Sequence, residues 1–190
     1  NGHFNIELVW VNDGSNTENT TLLKNALSNF EKTSRFTKIK YIENDGNKGI
    51  GYSLNLGVME CSNEIIIKQD SDDIMVQGRI LKQIEFMKQH VTCKICGGQV
   101  QMFKTVEKNT KKLLSKTSHP TIKWVDYKDK PSEWFVNHPT LCYRKSAIIE
   151  VGNYNPEFHS MVEDFHLELK MMKKFGTIIN LPDILLEYRL

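Results

Sequence analysis

The chain has 190 residues, with 25 basic against 23 acidic side chains, 39% apolar residues, 11 Gly and 5 Pro, the proportions of one ordinary globular domain with a single core. A net charge of +2 and a pI near 8.3 lack the global basic field that draws in a nucleic acid by counterion release. A mean hydropathy of −0.43 and the lack of any apolar run near the ~18 residues that span a bilayer exclude transmembrane helices.

The first residue is Asn, no signal-peptide pattern follows, and a strand-like run begins at Ile6, so the sequence is expected to start inside a longer or processed protein. That run, residues 6–11, stops at Asn12-Asp13-Gly14-Ser15, a turn with helix-capping residues. Leu22, Leu23, Ala26, Leu27 and Phe30 then recur at helical spacing. A second strand is expected over 39–42, followed by a Gly-containing loop and a helix carrying Ile50, Leu54 and Val58. Residues 65–67 form a third strand before Asp70-Ser71-Asp72-Asp73, and Val76, Ile80, Ile84 and Met87 give the next helix its apolar face. This β-α-β-α-β-α succession predicts an α/β fold with a largely parallel sheet flanked by helices. Ligands of such sheets bind beyond the carboxyl ends of the strands, where the acidic clusters after the first and third strands fall.

Further along, residues 95–103 read as a strand, and residues 104–130 hold eight lysines against Glu107, Asp126 and Asp129. This excursion is either a solvated surface or a docking surface for a phosphorylated or lipid-linked acceptor. A strand over 134–143, a helix marked by Phe165, Leu169 and Met172 and ended by Gly176, and a last strand over 177–181 before Pro182 complete the pattern. The four cysteines, Cys61, Cys93, Cys96 and Cys142, are too dispersed for a disulfide scaffold and imply a reducing, cytoplasmic setting. Cys93-x-x-Cys96 lacks the second ligand pair of a zinc site and is expected to pack at a strand edge. Asn19-Thr20-Thr21 matches a glycosylation sequon, a tripeptide frequent by chance.

Three carboxylates within Asp70–Asp73 repel one another unless a cation or hydrogen-bond donors offset them. Mg²⁺ or Mn²⁺ with a phosphate ligand would do so, and a solvated turn capping the next helix is the alternative. An EF-hand is excluded because Met75 and Leu81 stand where Gly and Glu are required. A haloacid-dehalogenase-type phosphatase also places Asp-x-Asp after a strand, but normally the first strand of its domain, with Thr or Val where Ile74 stands. Asn44-Asp45-Gly46-Asn47-Lys48-Gly49-Ile50-Gly51 would let a backbone approach a phosphate, though it fits neither the Rossmann fingerprint nor the P-loop. Glu163-Asp164 opens the last helix, where one acid can face a cleft as general base while the other caps or solvates. His138-Pro139-Thr140 lies in an apolar stretch, where a lone His can equally be structural.

In order, these segments resemble the family 2 glycosyltransferases of the GT-A fold. The resemblance is carried by residues 4–15, by Asn47, Gly49, Asn55 and Gly57, and by Asp70-Ser71-Asp72-Asp73 with Arg79 and Gln83. It continues through His138-Pro139-Thr140, Gly152-x-Tyr154, Glu163-Asp164, and Leu181-Pro182 with Tyr188-Arg189. It implies a single GT-A-like domain over 1–190, with a Rossmann-like nucleotide-sugar half at 1–103 and a mixed acceptor-side half at 104–190. It also implies a metal-dependent, inverting transfer from a nucleotide-diphosphate sugar, a UDP-hexose, to an acceptor hydroxyl. Asp13, Asn47, Lys48, Asp70 and Ser71 would bind the nucleotide sugar, and Asp72 with Asp70 would hold Mn²⁺ or Mg²⁺. Asp164 would be the catalytic base, and Trp134, His138 and Glu163 would line the sugar or acceptor side. Asn12 replaces the first Asp of the family's usual pair, and the family's first βα unit, ~30 residues, has no counterpart before Ile6. The expected partners are a saccharide, lipid-linked or protein acceptor, with a homodimer and a peripheral membrane location compatible. A sugar-phosphate nucleotidyltransferase would need a Gly-rich loop carrying Arg, which is not found. A degenerate binding module is disfavoured by the joint presence of Asp13, Asp70, Asp72 and Asp164.

Overall fold

The computed structural model describes residues 4–33, 38–107, 110–130, 133–158 and 162–190. Its contacts divide into two compact units, one of residues 1–64 and 152–167 and the other of 65–151 and 168–190. No helix among the described residues is long and apolar enough to cross a membrane.

In the first unit β1 (Glu7–Asn12) pairs in parallel with β2 (Lys38–Glu43), from Glu7 opposite Lys38 to Asn12 opposite Glu43. The β-branched and aromatic run Val9-Trp10-Val11 favours the strand, and Asn12 ends it. The Asn12 side chain is buried: its amide donates to Thr20 Oγ1 (3.1 Å) and the Tyr41 hydroxyl (2.8 Å), and its Oδ1 accepts from the Ser15 N–H (3.1 Å). Asn16 Oδ1 accepts from the Asn19 N–H at the start of α1 (Thr17–Thr33), as an N-cap does. The inward stripe of α1 is Thr20, Leu23 and Leu27, while Leu22, Ala26 and Phe30 are exposed, a narrower face than the apolar spacing predicts. In α2 (Ile50–Glu60) a Cβ on Gly51 would lie 2.4 Å from the Asn155 carbonyl oxygen, and the Gly51 N–H donates to the Phe158 carbonyl at 2.9 Å. Asn55 donates to the Tyr154 carbonyl (2.6 Å) and Asn153 to the Asn55 carbonyl (3.1 Å), so 152–158 is stitched to this helix.

The second unit holds a mixed sheet in the order β3-β8-β5-β9-β4. These strands are β3 (Ile65–Ile67), β4 (Ile74–Met75), β5 (Ile95–Val106), β8 (Cys142–Arg144) and β9 (Thr177–Arg189), and β6 (Thr110–Lys116) and β7 (Ile122–Lys123) add to β5 and β9. The parallel relation predicted for the sheet holds between β5 and β9, while β8 and β4 enter antiparallel. Two short helices, α4 (Trp124–Tyr127) and α5 (Lys145–Glu150), were not anticipated, and the lysine-rich excursion folds into β6, β7 and α4. The strand expected over 134–143 is confined to β8, because a 3₁₀ turn at His138–Thr140, with Pro139 inside it, interrupts the extended chain.

The last strand runs well past the expected boundary at 181. Pro182 has no N–H to give, and the register slips there, with Gly97 opposite Asn180 but Gln99 opposite Ile184. Gln99 repairs the break: its Nε2 donates to the Leu181 and His119 carbonyls (3.1 and 2.9 Å), and its Oε1 accepts from Thr117 Oγ1 and the His119 N–H. Cys93, Cys96 and Cys142 are free thiols buried with Met87 in one core cluster; contact with Cys96 pushes the Cys93 thiol far up and contact with Cys142 does so for Cys96, with burial adding to both.

Helix α3 (Arg79–Gln89) begins three residues after Val76, and its innermost side chains are Arg79, Gln83 and Met87, with Ile80 and Ile84 only half-buried. Arg79 is 1% exposed. Its guanidinium donates to the carbonyls of Lys68 (2.8 Å) and Pro139 (3.0 Å) and to the side chains of Gln69 (3.1 Å) and Gln83 (2.9 Å). Gln83 in turn donates to the Thr140 carbonyl at 2.8 Å. Burial pushes the Arg79 pKa down to about 10, so the group stays protonated at neutral pH. Arg79→Leu should strand these acceptors and cost about 3–5 kcal/mol, a fall in Tm of roughly 10 °C or more for a domain of this size. Thermal unfolding followed by circular dichroism measures it, and Arg79→Lys should rescue little because an ammonium cannot span the same fork of acceptors.

Candidate functional site

Within the first unit, Asp13 begins the turn after β1, with Gly14 next at φ 77°. A Cβ on Gly14 would lie 2.6 Å from the Asn47 nitrogen, so the two loops approach as closely as glycine allows. Asp13 Oδ1 accepts from Asn44 Nδ2 (2.7 Å) and the Lys48 N–H (2.8 Å), and Oδ2 accepts from the Gly49 N–H (2.9 Å). Burial alone would raise the Asp13 pKa; the Lys48 N–H, the Asn44 and Ser53 side chains and the Gly49 N–H outweigh it and leave the carboxyl below its usual value. Asp13 is therefore the anion around which the loop 44–49 is wrapped. Asn47 Oδ1 accepts from the Gly49 N–H at 3.1 Å, and the Lys48 ammonium pairs with Asp45 at 2.7 Å, its pKa raised by that contact.

The same unit contains the start of α6 (Glu163–Phe175). The two neighbouring acids differ there in environment. Glu163 is 5% exposed, and its Oε2 has no hydrogen-bond partner among the described residues. Asp164 is half-buried, with Oδ1 accepting from the Phe165 N–H at 2.6 Å. Both lie in the first turn, where the helix dipole favours a negative charge.

In the second unit the acidic turn follows β3. Ile66 and Lys68 alternate inward and Gln69 points out, so strand periodicity carries a lysine into the interior two residues before the first acid. The Lys68 side chain is 4% exposed and its ammonium forms an ion pair with Asp70 Oδ1, while the Asp70 side chain remains 34% exposed. Gln69 Nε2 donates to the Asp70 and Asp73 carbonyls (2.9 and 3.2 Å). The Arg189 N–H donates to Asp73 Oδ1 (2.9 Å) and its Nε to the Asp72 carbonyl (2.8 Å). Burial raises the Asp73 pKa, the Arg189 N–H opposes that, and the charges of Asp72 and Asp70 add to it.

Asp72 differs from its neighbours. It is exposed, as is Ser71, and its carboxylate makes no ion pair or hydrogen bond among the described residues. No group of three metal-ligating side chains is present among those residues. The accessible side-chain oxygens of the turn's acids are those of Asp72 and the second oxygen of Asp70, since the unpartnered Oδ2 of Asp73 is buried, and one or two carboxylates completed by phosphate oxygens are how Mg²⁺ is usually held. The donor set thus fits a substrate-bridged cation and not a closed protein cage.

His138 is buried in the 3₁₀ turn, and burial followed by the charge of Lys68 holds its pKa well below the usual imidazole value, so the ring is neutral. Trp134 is 58% exposed. Lys68, and the roles of Arg79 and Arg189 around the acidic turn, were missed at the level of sequence. A charged residue in phase with the buried Ile66 was the available signal for Lys68; nothing local marks Arg189, which lies 116 positions from Asp73.

Residues 1–152 match the sequence model of the family described as Glycosyl transferase family 2. The chain is 32% identical over 183 residues to an uncharacterized glycosyltransferase of Haemophilus influenzae, covering 96% of this chain and 64% of that protein. It is 27% identical over 184 residues to the UDP-Gal:alpha-D-GlcNAc-diphosphoundecaprenol beta-1,3-galactosyltransferase of Escherichia coli, covering 96% and 62%. The chain therefore spans somewhat under two thirds of the length of these relatives. GalNAc-T7, solved with UDP, GalNAc and Mn²⁺, superposes with a TM-score of 0.68 at 14% identity, over 97% of this chain and 38% of that one, a likeness of fold. With the acidic turn after β3 and the Asp13 loop in place, the match over four fifths of its length makes this chain a member of glycosyl transferase family 2, with the GT-A fold.

Proposed function

We propose that the chain is the transferase domain, residues 1–190, of an inverting glycosyltransferase that uses a nucleotide-diphosphate sugar, a UDP-hexose, and a divalent cation, Mn²⁺ or Mg²⁺. One observation carries this reading: of the three acids in the turn, Asp70 is neutralised by Lys68 and Asp73 is held by Arg189, while Asp72 alone is left unpaired and exposed. A carboxylate left open and exposed in a turn whose other two acids are each tied through one oxygen is suited to a cation that arrives with its substrate. The UDP and Mn²⁺ of GalNAc-T7 and the UDP-galactose donor in the name of the E. coli relative support the choice of donor and metal.

In this reading the loop wrapped on Asp13 presents Asn47 and Lys48 to the nucleotide, and Asp70 and Ser71 contact the donor beside the Asp72-bound cation. Residues 1–103 serve the donor and 104–190 the acceptor. A cation bound there stabilises the charge that develops on the departing diphosphate. Asp164 accepts the proton of the acceptor hydroxyl as that oxygen bonds to the anomeric carbon and the bond to the diphosphate breaks, which inverts the configuration. Neutral His138, exposed Trp134 and buried Glu163 shape the sugar or acceptor side. The acceptor is a saccharide, lipid-linked or protein hydroxyl; the diphosphoundecaprenol acceptor in the E. coli relative's name favours the lipid-linked class, encountered from the cytoplasmic side by a peripheral protein.

Three measurements test this. Adding UDP with Mn²⁺ should raise the Tm of the protein; Asp72→Asn should abolish that rise while leaving the ligand-free stability within about 0.5 kcal/mol, as for an exposed, unpaired side chain, and an undiminished rise would refute the assignment. Asp164→Asn should lower transfer by about 10²–10⁴-fold with the Kd for UDP and Mn²⁺ nearly unchanged in calorimetry; loss of both would make the residue structural. Lys68→Met should lower ligand-free stability by roughly 1–3 kcal/mol, since the buried cation is replaced but its partly exposed partner can hydrate. The same change should tighten Mn²⁺ binding severalfold in the absence of nucleotide, because the ammonium no longer competes for Asp70; an unchanged Mn²⁺ affinity would separate Lys68 from the metal.

A further inference from the structure

The hairpin of β5 and β6 carries groups that the transfer chemistry does not use. All seven residues of β6 are exposed, including Leu113 at 55% and Leu114 at 37%. Its two faces differ. On one, the Lys111 ammonium lies 5.6 Å and the Arg189 guanidinium 4.8 Å from the centre of the buried Phe103 ring, and Lys111 pairs with Glu187 at 2.5 Å. These charges are answered within the chain, by Glu187 and the Phe103 ring.

On the other face Lys104 sits directly opposite Lys112 in the antiparallel register, with Val106 and Leu114 two residues along on the same side of their strands. Like charges directly opposite one another destabilise a strand pair. Among the described residues neither lysine takes part in an ion pair, and both are exposed. Lysines alone would serve to keep an edge strand from pairing with another chain. Exposed leucines on the same strand work against that purpose and need another account.

We infer that this hairpin face docks on an anionic lipid surface, with Leu114 and Val106 entering the headgroup boundary and Lys104 and Lys112 meeting lipid phosphates. Paired ammonium groups beside aliphatic tips suit that boundary, where long lysine stems lie along apolar surface while their heads reach phosphate. The wider segment 104–130, with eight lysines against three acids, adds a field of the same sign. A nucleic acid is the poorer occupant, because this face offers aliphatic side chains where single strands would be stacked on aromatic ones. This docking rests on the peripheral, lipid-linked reading proposed above and deepens it, and because its test uses no substrate its failure would leave the transfer reaction itself standing.

The 190-residue chain should co-sediment with vesicles of phosphatidylcholine and phosphatidylglycerol at 7:3 but not with phosphatidylcholine alone, and binding should fall sharply in 0.5 M NaCl. Lys104→Ser with Lys112→Ser should weaken partitioning about 25-fold, from a factor of roughly five per lysine, with Tm unchanged or higher because the repulsion is relieved. Leu114→Ser should weaken it severalfold without changing its dependence on charge. Equal binding to both vesicle types, or full binding by the double lysine variant, overturns the proposal. Binding to heparin as tight as to the anionic vesicles and indifferent to Leu114 would show a general polyanion patch, and loss of a concentration-dependent dimer in Leu114→Ser would assign the face to a second copy; either result also overturns it.

Discussion

Arg79 is the constraint on which the second unit turns. A guanidinium with almost no access to water must satisfy its donors inside the protein, and it does so by binding the carbonyls of Lys68 and Pro139 and the side chains of Gln69 and Gln83. Those acceptors come from the strand leading into the acidic turn, from the 3₁₀ turn of His138, and from α3 itself. One planar group thus sets the spacing of three segments distant in sequence. A lysine could supply the charge but not the fan of directions.

The acidic turn inherits its asymmetry from that arrangement. Because Arg79 holds the Lys68 carbonyl, Lys68 continues the strand with its side chain inward, and the ammonium finds Asp70. Arg189, from the end of β9, takes Asp73 and the Asp72 carbonyl. Three like charges in four residues are tolerated since two are answered by fixed cations or donors. The third, Asp72, is exposed and has no ion pair or hydrogen bond to its carboxylate among the described residues, and in the function proposed here it is the group that meets the cation. The same logic governs Asp13, whose carboxylate is satisfied by backbone N–H groups of the loop it organises. In both units an acid shapes a loop through hydrogen bonds or an ion pair within its own unit.

The hairpin of β5 and β6 stands in contrast, because Lys104 and Lys112 on its outer face form no ion pair among the described residues. Near-zero net charge for the chain conceals this separation: acids gather at the turn after β3, and lysines along 104–130. Local charge balance, and not the total, is what a partner meets.

Much of this was legible in the residues alone. Short runs rich in apolar residues mark β1, β2 and β3, and spacing marks α2 and α6 as helices, but it misplaces their inner faces: Ile50 is exposed, Phe165 and Leu169 are only half-buried, and α6 buries Leu167, Glu168, Met171 and Met172 instead. Asp13, the 44–49 loop and Asp70 to Asp73 stand out as polar clusters at strand ends, so the candidate site could be named by position. The sequence could not show that α3 turns Arg79 and Gln83 inward ahead of Ile80 and Ile84, nor that β9 continues beyond Pro182. In each case a buried polar side chain is stabilised by partners remote in the chain: the carbonyls of Pro139 and Thr140 for α3, Gln99 for the break in β9. Local pattern determines which segments become strands and helices, because that choice depends on neighbours along the chain. Which of the aspartates at 70, 72 and 73 remains unpaired among the described residues depends on Lys68 being folded inward and on Arg189 arriving from the far end of the sequence, so only the tertiary structure decides it.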